Sequence, residues 1–465
     1  MHVTVLNGSP KGDVSVTMQY VHFLAGKFPG YDFKIHNVAR QIRVLEKKDG
    51  SFREVLDDMG KADLVLWAFP VYVCLVPSQY KRFIELLFER GAAEKLAGRY
   101  SAALTTSVHY FDHTAHGYID AVSQDLGMLH IGGYSADMYE LLKPENRRRL
   151  TRFADHLFHT AQRRDPVDRT HEPLPPRGFV YEAGPVRETV PTDGKKVLVL
   201  TDAAPGQDNL LKMIERFRQS FSGPVEVVNL HDLDIKGGCL GCCECGYDNT
   251  CVYAGKDGFG DFYRSRVMNA DILICAGEIR DRYLSSTWKC YFDRVFFNTH
   301  IPTLAGRQAG FILSGPFRRL PHLRQIFEGY MEFQQANWAG VVTDESGDTT
   351  RIDEGLQALA ERSVRFAREG YVRPPGFLGV AGTKMFRDEV WGRLRFVFRA
   401  DHRFYRDHGL YDFPQKDWKM RGINLGMGVL TGIPAFRKEF RKRIKDEMIK
   451  PLQAVLLRER EGSGA

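Results

Sequence analysis

Five of the eight cysteines fall between positions 239 and 251, in the stretch Gly238-Cys239-Leu240-Gly241-Cys242-Cys243-Glu244-Cys245-Gly246-Tyr247-Asp248-Asn249-Thr250-Cys251. Read at its tightest spacing this is C-x2-C-x2-C-x5-C, with Cys243 left over. Iron–sulfur clusters are held by thiolates, and x2 spacing can wrap three sulfurs around one face of a cubane. Zinc also takes four thiolates, usually as two separated C-x2-C pairs, and these cysteines are too compressed for that. A second stretch, Asn7-Gly8-Ser9-Pro10-Lys11-Gly12-Asp13-Val14-Ser15-Val16-Thr17, follows a short apolar run and opens a helical pattern. Such a turn presents free backbone N–H groups to an anion. The hydroxyls of Ser9, Ser15 and Thr17 can donate to phosphate oxygens, and Gly8 is expected to permit close backbone approach. A plain strand–helix turn with an N-cap is the alternative for this loop.

These stretches need elements to position them. Residues 3–6, 33–36, 63–69 and 100–105 read as strands alternating with helical segments, the first over 15–28. Near-continuous apolar strands between helices indicate a parallel sheet covered on both faces. Residues 164–194 are rich in Pro, Gly and charge and read as a linker. The order then restarts about 194 residues on, with strands at 196–201, 225–229, 270–277 and 307–314 and a helix at 210–220. The expected organisation is a first α/β domain over 1–163, a linker over 164–194, a second α/β domain over 195–373 and a basic helical extension over 374–465.

After the strand at 63–69 comes Pro70-Val71-Tyr72-Val73-Cys74-Leu75-Val76-Pro77, then Ser78-Gln79-Tyr80-Lys81-Arg82-Phe83-Ile84-Glu85. Together, GSPxxxxSxT and PVYxxxxPxxxKxFIE resemble the NAD(P)H-dependent FMN reductase branch of the flavodoxin-like superfamily. The resemblance implies two tandem doubly wound sheets, three-layer α/β/α, with FMN on the first. It places Gly8, Ser9, Pro10, Lys11, Ser15 and Thr17 at the phosphate and Pro70, Val71, Tyr72 and Val73 along the isoalloxazine. The helix bearing Lys81 and Phe83 would pack beneath the site, often at a dimer interface, so a homo-oligomer is expected. The third loop, Thr106-Ser107-Val108-His109-Tyr110-Phe111-Asp112-His113, carries aromatics and histidines where the family often has glycines. Thr106, Ser107 and His109 are its candidate contacts, with a capped or solvated histidine as the alternative for His109.

The cysteine spacing resembles that of iron–sulfur flavoproteins on the same fold. The resemblance implies a [4Fe-4S] cluster on Cys239, Cys242, Cys245 and Cys251. Relatives without a cluster keep some such cysteines as remnants. In the second half, the first loop carries Asp202 and Asp208, whose charge opposes a phosphate. Residues 277–286 replace the ring loop, although Tyr283, Ser285 and Ser286 could line a site. A weakened or absent second FMN site is therefore expected.

The implied activity is FMN-dependent NAD(P)H oxidoreduction with an unidentified electron acceptor and exchange of electrons with the cluster. A carrier docking a redox protein or membrane, and a scaffold with a structural metal, are the alternatives. No catalytic residue is named, and no nucleophile–base triad is evident. The net charge of +7 is concentrated after residue 370, where 20 Lys+Arg face 11 Asp+Glu, so a general nucleic-acid binder is not expected. No signal-type segment or apolar run of ~18 residues is present, and a cytoplasmic protein is expected. Phe436, Phe440, Ile444 and Met448 form a stripe on a basic helix, ended or kinked at Pro451. The stripe is expected to dock on the chain itself, with an anionic membrane surface as the alternative.

Overall fold

The computed structural model describes residues 1–176, 178–186 and 188–462. Ten strands make two sheets, parallel throughout. The first holds β1 (His2–Asn7), β2 (Asp32–His36), β3 (Leu64–Pro70), β4 (Tyr100–Ser107) and β5 (Leu129–Asp137), in the order β2-β1-β3-β4-β5. The second holds β6 (Val197–Thr201), β7 (Val225–Asn229), β8 (Ile272–Glu278), β9 (Gln308–Ser314) and β10 (Asn337–Thr343), in the matching order β7-β6-β8-β9-β10. Both are flavodoxin-like doubly wound sheets, whose ligand crevice lies at the carboxyl ends of the first and third strands.

The central strands β1, β3, β4, β6, β8 and β9 are buried almost end to end, as covered parallel strands must be. The outer strands β5 and β10 lack that signature. Each carries a glycine at positive φ, Gly132 and Gly340, and a register shift against its neighbour. Edge position and broken periodicity explain why sequence patterning passes over both. Residues 164–194 carry no helix or strand among those described, yet they are pinned. Tyr181 is fully buried, its N–H on Asn209 Oδ1 at 2.8 Å and its hydroxyl on Asp353.

The two halves meet through helices Ser78–Glu89 and Ser286–Val295, in a reciprocal arrangement. The Ser78 N–H donates to Asp293 Oδ2 at 2.7 Å, and the Ser286 N–H donates to Glu85 Oε1 at 2.6 Å. Each helix start is thus capped by a carboxylate from the other half, where a negative charge is favoured. Lys81 Nζ lies 2.9 Å from Glu85 and 2.8 Å from Asp281, while Lys289 binds Asp293 and the Tyr72 carbonyl at 2.9 Å. Both lysine side chains have 0% exposure. Burial opposes ionisation of Glu85, but Lys81 and Ser286 overcome it and hold that carboxyl at about 2. Burial prevails at Asp281 and pushes it up to about 7, so Glu85 is the fixed counter-ion of Lys81. The helix face expected at a dimer interface is therefore occupied within the chain.

Residues 374–404 belong to the same compact unit, Met1–Phe404. Helix Phe377–Trp391 packs on helix Pro321–Phe333, where Glu332 accepts the N–H groups of Gly376 and Gly379 at 3.0 and 2.9 Å. Arg393 forks onto the Asp137 carboxylate at the end of β5. A separate unit begins at Tyr405 and contains helices Trp418–Gly432 and Pro434–Gly462. The second helix continues through Pro451, which removes one ladder bond without ending it. Phe436 and Phe440 stack on each other, and Ile444 is 36% and Met448 70% exposed. Among the described residues, no helix is long and apolar enough to cross a membrane.

Removing Lys81 takes from the buried Glu85 carboxylate its fully buried counter-ion and leaves only Arg82, at 3.1 Å and 25% exposed. Lys81→Met should lower unfolding stability by about 3–5 kcal/mol in chemical denaturation at neutral pH. The Glu85 carboxyl is more acidic folded (about 2) than at its ordinary 4.5, so its contribution is complete above 4.5 and lost as pH falls through 2. Glu85→Gln should make acid destabilisation across that window shallower.

Candidate functional site

A cavity of about 460 Å³ opens at the carboxyl ends of β1, β3 and β4. That is within the ~300–1,000 Å³ range of small-molecule sites. Its first wall is the turn after β1. Asn7 Oδ1 accepts the Ser9 N–H at 3.0 Å, Gly12 takes φ +66°, and the Ser15 hydroxyl caps helix Val16–Lys27 by accepting from Met18 N–H at 3.3 Å. The chain therefore turns so that Ser9, Lys11, Ser15, Val16 and Thr17 line one end of the cavity. Thr17 Oγ1 lies 2.6 Å from Thr106 Oγ1, joining this wall to the loop after β4.

The second wall follows β3. Tyr72 and Leu75 exchange backbone hydrogen bonds at 2.8 and 3.0 Å across Val73 and Cys74, both at positive φ (38° and 66°). Two consecutive non-glycine residues in that region are strained, and the strain persists only when neighbours fix it. Thr114 Oγ1 donates to the Cys74 carbonyl at 2.7 Å, and Lys289 of the second half donates to the Tyr72 carbonyl. Pro70, Val71, Tyr72, Val73 and Cys74 thereby line the cavity, facing Thr106, Ser107, Val108 and Tyr110 from the third loop.

Gly8, Pro10 and His109 are not in the cavity wall. A Cβ on Gly8 would lie 2.7 Å from Phe69 Cβ and from the Tyr80 ring, so packing against those side chains, rather than approach to a ligand, excludes a larger residue. His109 turns outward onto Asp112, at 2.9 Å.

The remaining wall comes from residues that no local motif marks. Phe292, Phe296, Tyr330 and Phe333 of the second half, with Phe386 and Phe398 of the extension, make it predominantly aromatic. Within it lies a titratable pair. His300 Nδ1 is 2.6 Å from Asp401 Oδ2, and its ring stacks on Phe386 at 4.0 Å. Asp401 is fully buried and also receives the His300 N–H at 3.2 Å and the Thr299 hydroxyl. Thr299 has φ 55° and ψ −123°, a conformation costly for a β-branched residue and held here by those bonds. A carboxylate against Nδ1 favours the imidazole tautomer that carries its hydrogen there. Asp401 lies a hundred residues along the chain from His300, so sequence spacing carries no trace of the pair.

The matching turns of the second half are engaged by their own side chains. Asp202, where a phosphate loop would lie, accepts from Ser285 Oγ and from Trp288 Nε1 at 3.0 Å, and burial raises its pKa. Arg282, in the turn matching Val73–Cys74, forks onto Asp125 at 2.5 and 2.7 Å.

The five cysteines, all unbridged, line one void of about 30 Å³ with Tyr253, Asp293, Arg294, Phe296 and Phe297. Arg294 is anchored by Asp257 at 2.7 and 3.0 Å and lies over the Tyr253 ring. Gln79 of the first half donates to the Cys239 carbonyl at 3.1 Å. Burial pushes the Cys239 thiol up to about 12 and raises Cys245 and Cys243 as well. A metal would therefore have to displace protons. Among the described residues, no three His, Cys, Asp or Glu side chains are grouped to hold one metal ion. The void has about the volume of one water, so the thiols would have to turn outward to enclose a cluster. Cys239 and Cys243 also line the large cavity, and the Tyr72 hydroxyl packs over Gly241, where a Cβ would be only 1.8 Å away.

Residues 1–138 match the family model described as NADPH-dependent FMN reductase. No curated protein sequence matches the chain. Similar solved structures include RosB with bound 8-demethyl-8-formylriboflavin-5'-phosphate, at 14% identity over 42% of this chain and 88% of that one, with TM-score 0.32. Others are the NADH:FMN oxidoreductase EMOB, at 18% identity over 34% and 89% with TM-score 0.30, and the NAD(P)H:(acceptor) oxidoreductase FerB from Paracoccus denitrificans, at 16% over 35% and 97% with TM-score 0.30. The loops that line the cavity from the first half all fall within residues 1–138, the stretch similar to the NADPH-dependent FMN reductase family model.

Proposed function

We propose that the chain is an FMN-dependent NAD(P)H oxidoreductase in which both halves and the extension build one flavin site. The observation that carries this reading is the convergence of three loops, after β1, β3 and β4, on one cavity closed by an aromatic wall. When bound there, FMN supplies a ring that accepts hydride from a nicotinamide and returns two electrons to an acceptor. Lys11 and the hydroxyls of Ser9, Ser15 and Thr17 hold the phosphate at the start of a helix. Val71 to Cys74 offer backbone groups along the ring, clamped by Lys289 and Thr114. The aromatic wall excludes water and stacks a planar acceptor. His300 holds a proton at that wall, and Asp401 keeps the ring oriented so that the proton is delivered to an acceptor heteroatom as it is reduced.

A [4Fe-4S] cluster on Cys239, Cys242, Cys245 and Cys251 is the second part of this proposal. Its support is the convergence of all five thiols on one void that shares Cys239 and Cys243 with the cavity. A bound cluster would supply one-electron chemistry beside a two-electron ring.

Cofactor analysis of anaerobically prepared protein should give one FMN per chain, not two, because Asp202 places a carboxylate in the turn where the second phosphate would bind. Iron and acid-labile sulfide should accompany it and be lost in Cys245→Ser but retained in Cys243→Ser. Flavin without iron would remove the cluster from the proposal and leave the flavin site standing. His300→Gln should slow reoxidation by the acceptor by ~10²-fold in stopped flow while leaving FMN affinity within about threefold. Asp401→Asn should shift the pH profile of that same step, and loss of flavin in both variants would instead assign the pair a structural role.

A further inference from the structure

The unit that begins at Tyr405 exposes apolar side chains on a scale its own packing does not account for. In helix Trp418–Gly432, Trp418 (73% exposed), Leu425 (74%) and Val429 (67%) lie at i, i+7 and i+11, on one face. Residues 422–436 contain no charged side chain. A helix this apolar all round is ordinarily covered. Helix Pro434–Gly462 repeats the pattern in its second half, where Met448, Leu452 and Val455 lie at i, i+4 and i+7 and are at least half exposed. Between the two apolar surfaces stands a cationic stretch. From residue 418 to 450 there are nine Lys and Arg against three Asp and Glu.

We infer that this helical pair is a peripheral membrane anchor that inserts its apolar faces into the interfacial zone of an anionic lipid surface. The inference is independent of the flavin chemistry. Three features select lipid over other occupants. The charge-free run is 15 residues, of which 422–432 are in the first helix, about 16 Å, against a hydrocarbon core of ~30 Å, so it can lie in the interface but not cross it. Cations flank the run on both sides, at Lys419 and Arg421 and again at Lys438, Arg441 and Lys445, where they would meet lipid phosphates as the apolar residues enter. A second copy of the chain would instead bring two such cationic stretches together, at a Coulomb cost. Trp418, at the amino end of the apolar helix, has the amphipathic ring that favours the headgroup level.

The test is co-sedimentation of the full flavin-loaded chain with vesicles. One set is phosphatidylcholine alone and the other phosphatidylcholine with about one third phosphatidylglycerol. Binding is expected to the anionic vesicles, at least tenfold stronger than to neutral ones, and weakened by added salt. Leu425→Asp with Val429→Asp should reduce it by more than tenfold. Lys438→Glu with Arg441→Glu should abolish the preference for anionic lipid. All four positions lie outside the cavity, so flavin content and cavity-dependent turnover should stay unchanged and report that the variants are folded. No vesicle binding by the parent chain overturns the inference, as does binding that survives the Leu425/Val429 pair. A concentration-dependent dimer that this pair dissolves, with no vesicle binding, would assign the same face to self-association instead.

Discussion

Lys81 and Lys289 lie without solvent exposure in the seam between the two halves, Lys81 on the Asp281 carboxylate and Lys289 on the Tyr72 carbonyl from across it. An ammonium taken out of water is stable only if anions and carbonyls replace its hydration, so these contacts fix how the helices bearing the lysines can pack. The consequences reach the cavity directly. Lys289 ends on the carbonyl of Tyr72, in the strained turn that lines the site, and Asp293 caps the helix that follows that turn. The first half therefore cannot present its ring loop in this shape alone. The geometry of the site is a property of the pair of halves.

The seam is close to symmetric, but the two positions it could support are not. On one side, loops with hydroxyls and a lysine surround open space. On the other, Asp202 occupies the turn with a carboxylate tied to Ser285 and Trp288, and Arg282 is drawn away to Asp125. A carboxylate where a phosphate would bind is repulsive, and a buried one held by two donors is not readily displaced. The second half contributes aromatic side chains and the His300 region to the cavity wall.

The sheet core and the two loops after β1 and β3 were legible because their signals are local. Runs such as residues 64–69 and 272–277 are apolar throughout, and the Ser9–Thr17 turn carries its hydroxyls in a short window. The outer strands β5 and β10 were not legible, since glycines and register shifts break their periodicity and their faces are half exposed. Gly8 shows a subtler limit. Its identity was readable, but its reason was not, because the atoms that exclude a side chain belong to Phe69 and Tyr80. The aromatic wall and the His300–Asp401 pair lie further beyond reach. Their members are scattered from residue 292 to 401 and acquire meaning only when the extension folds back, held by Glu332 on Gly376 and Gly379 and by Asp137 on Arg393.

The position of the cysteine loop follows from the same folding back. Gly246 lies against the Val397 carbonyl, so closely that a Cβ would come within 2.1 Å, and Arg399 lies over the Tyr247 ring. Asn249 donates to the Thr299 hydroxyl at 3.1 Å, and Thr299 is tied in turn to Asp401. The loop that carries the thiols and the segment that orients His300 are thus one hydrogen-bonded and packed network. Any movement of the thiols outward, as enclosing a cluster requires, bears on Gly241 under Tyr72 at one end and on Thr299 at the other. Occupancy of the cysteine loop and the shape of the cavity are in that sense a single structural variable, because the cavity has Cys239, Gly241 and Cys243 in its own wall.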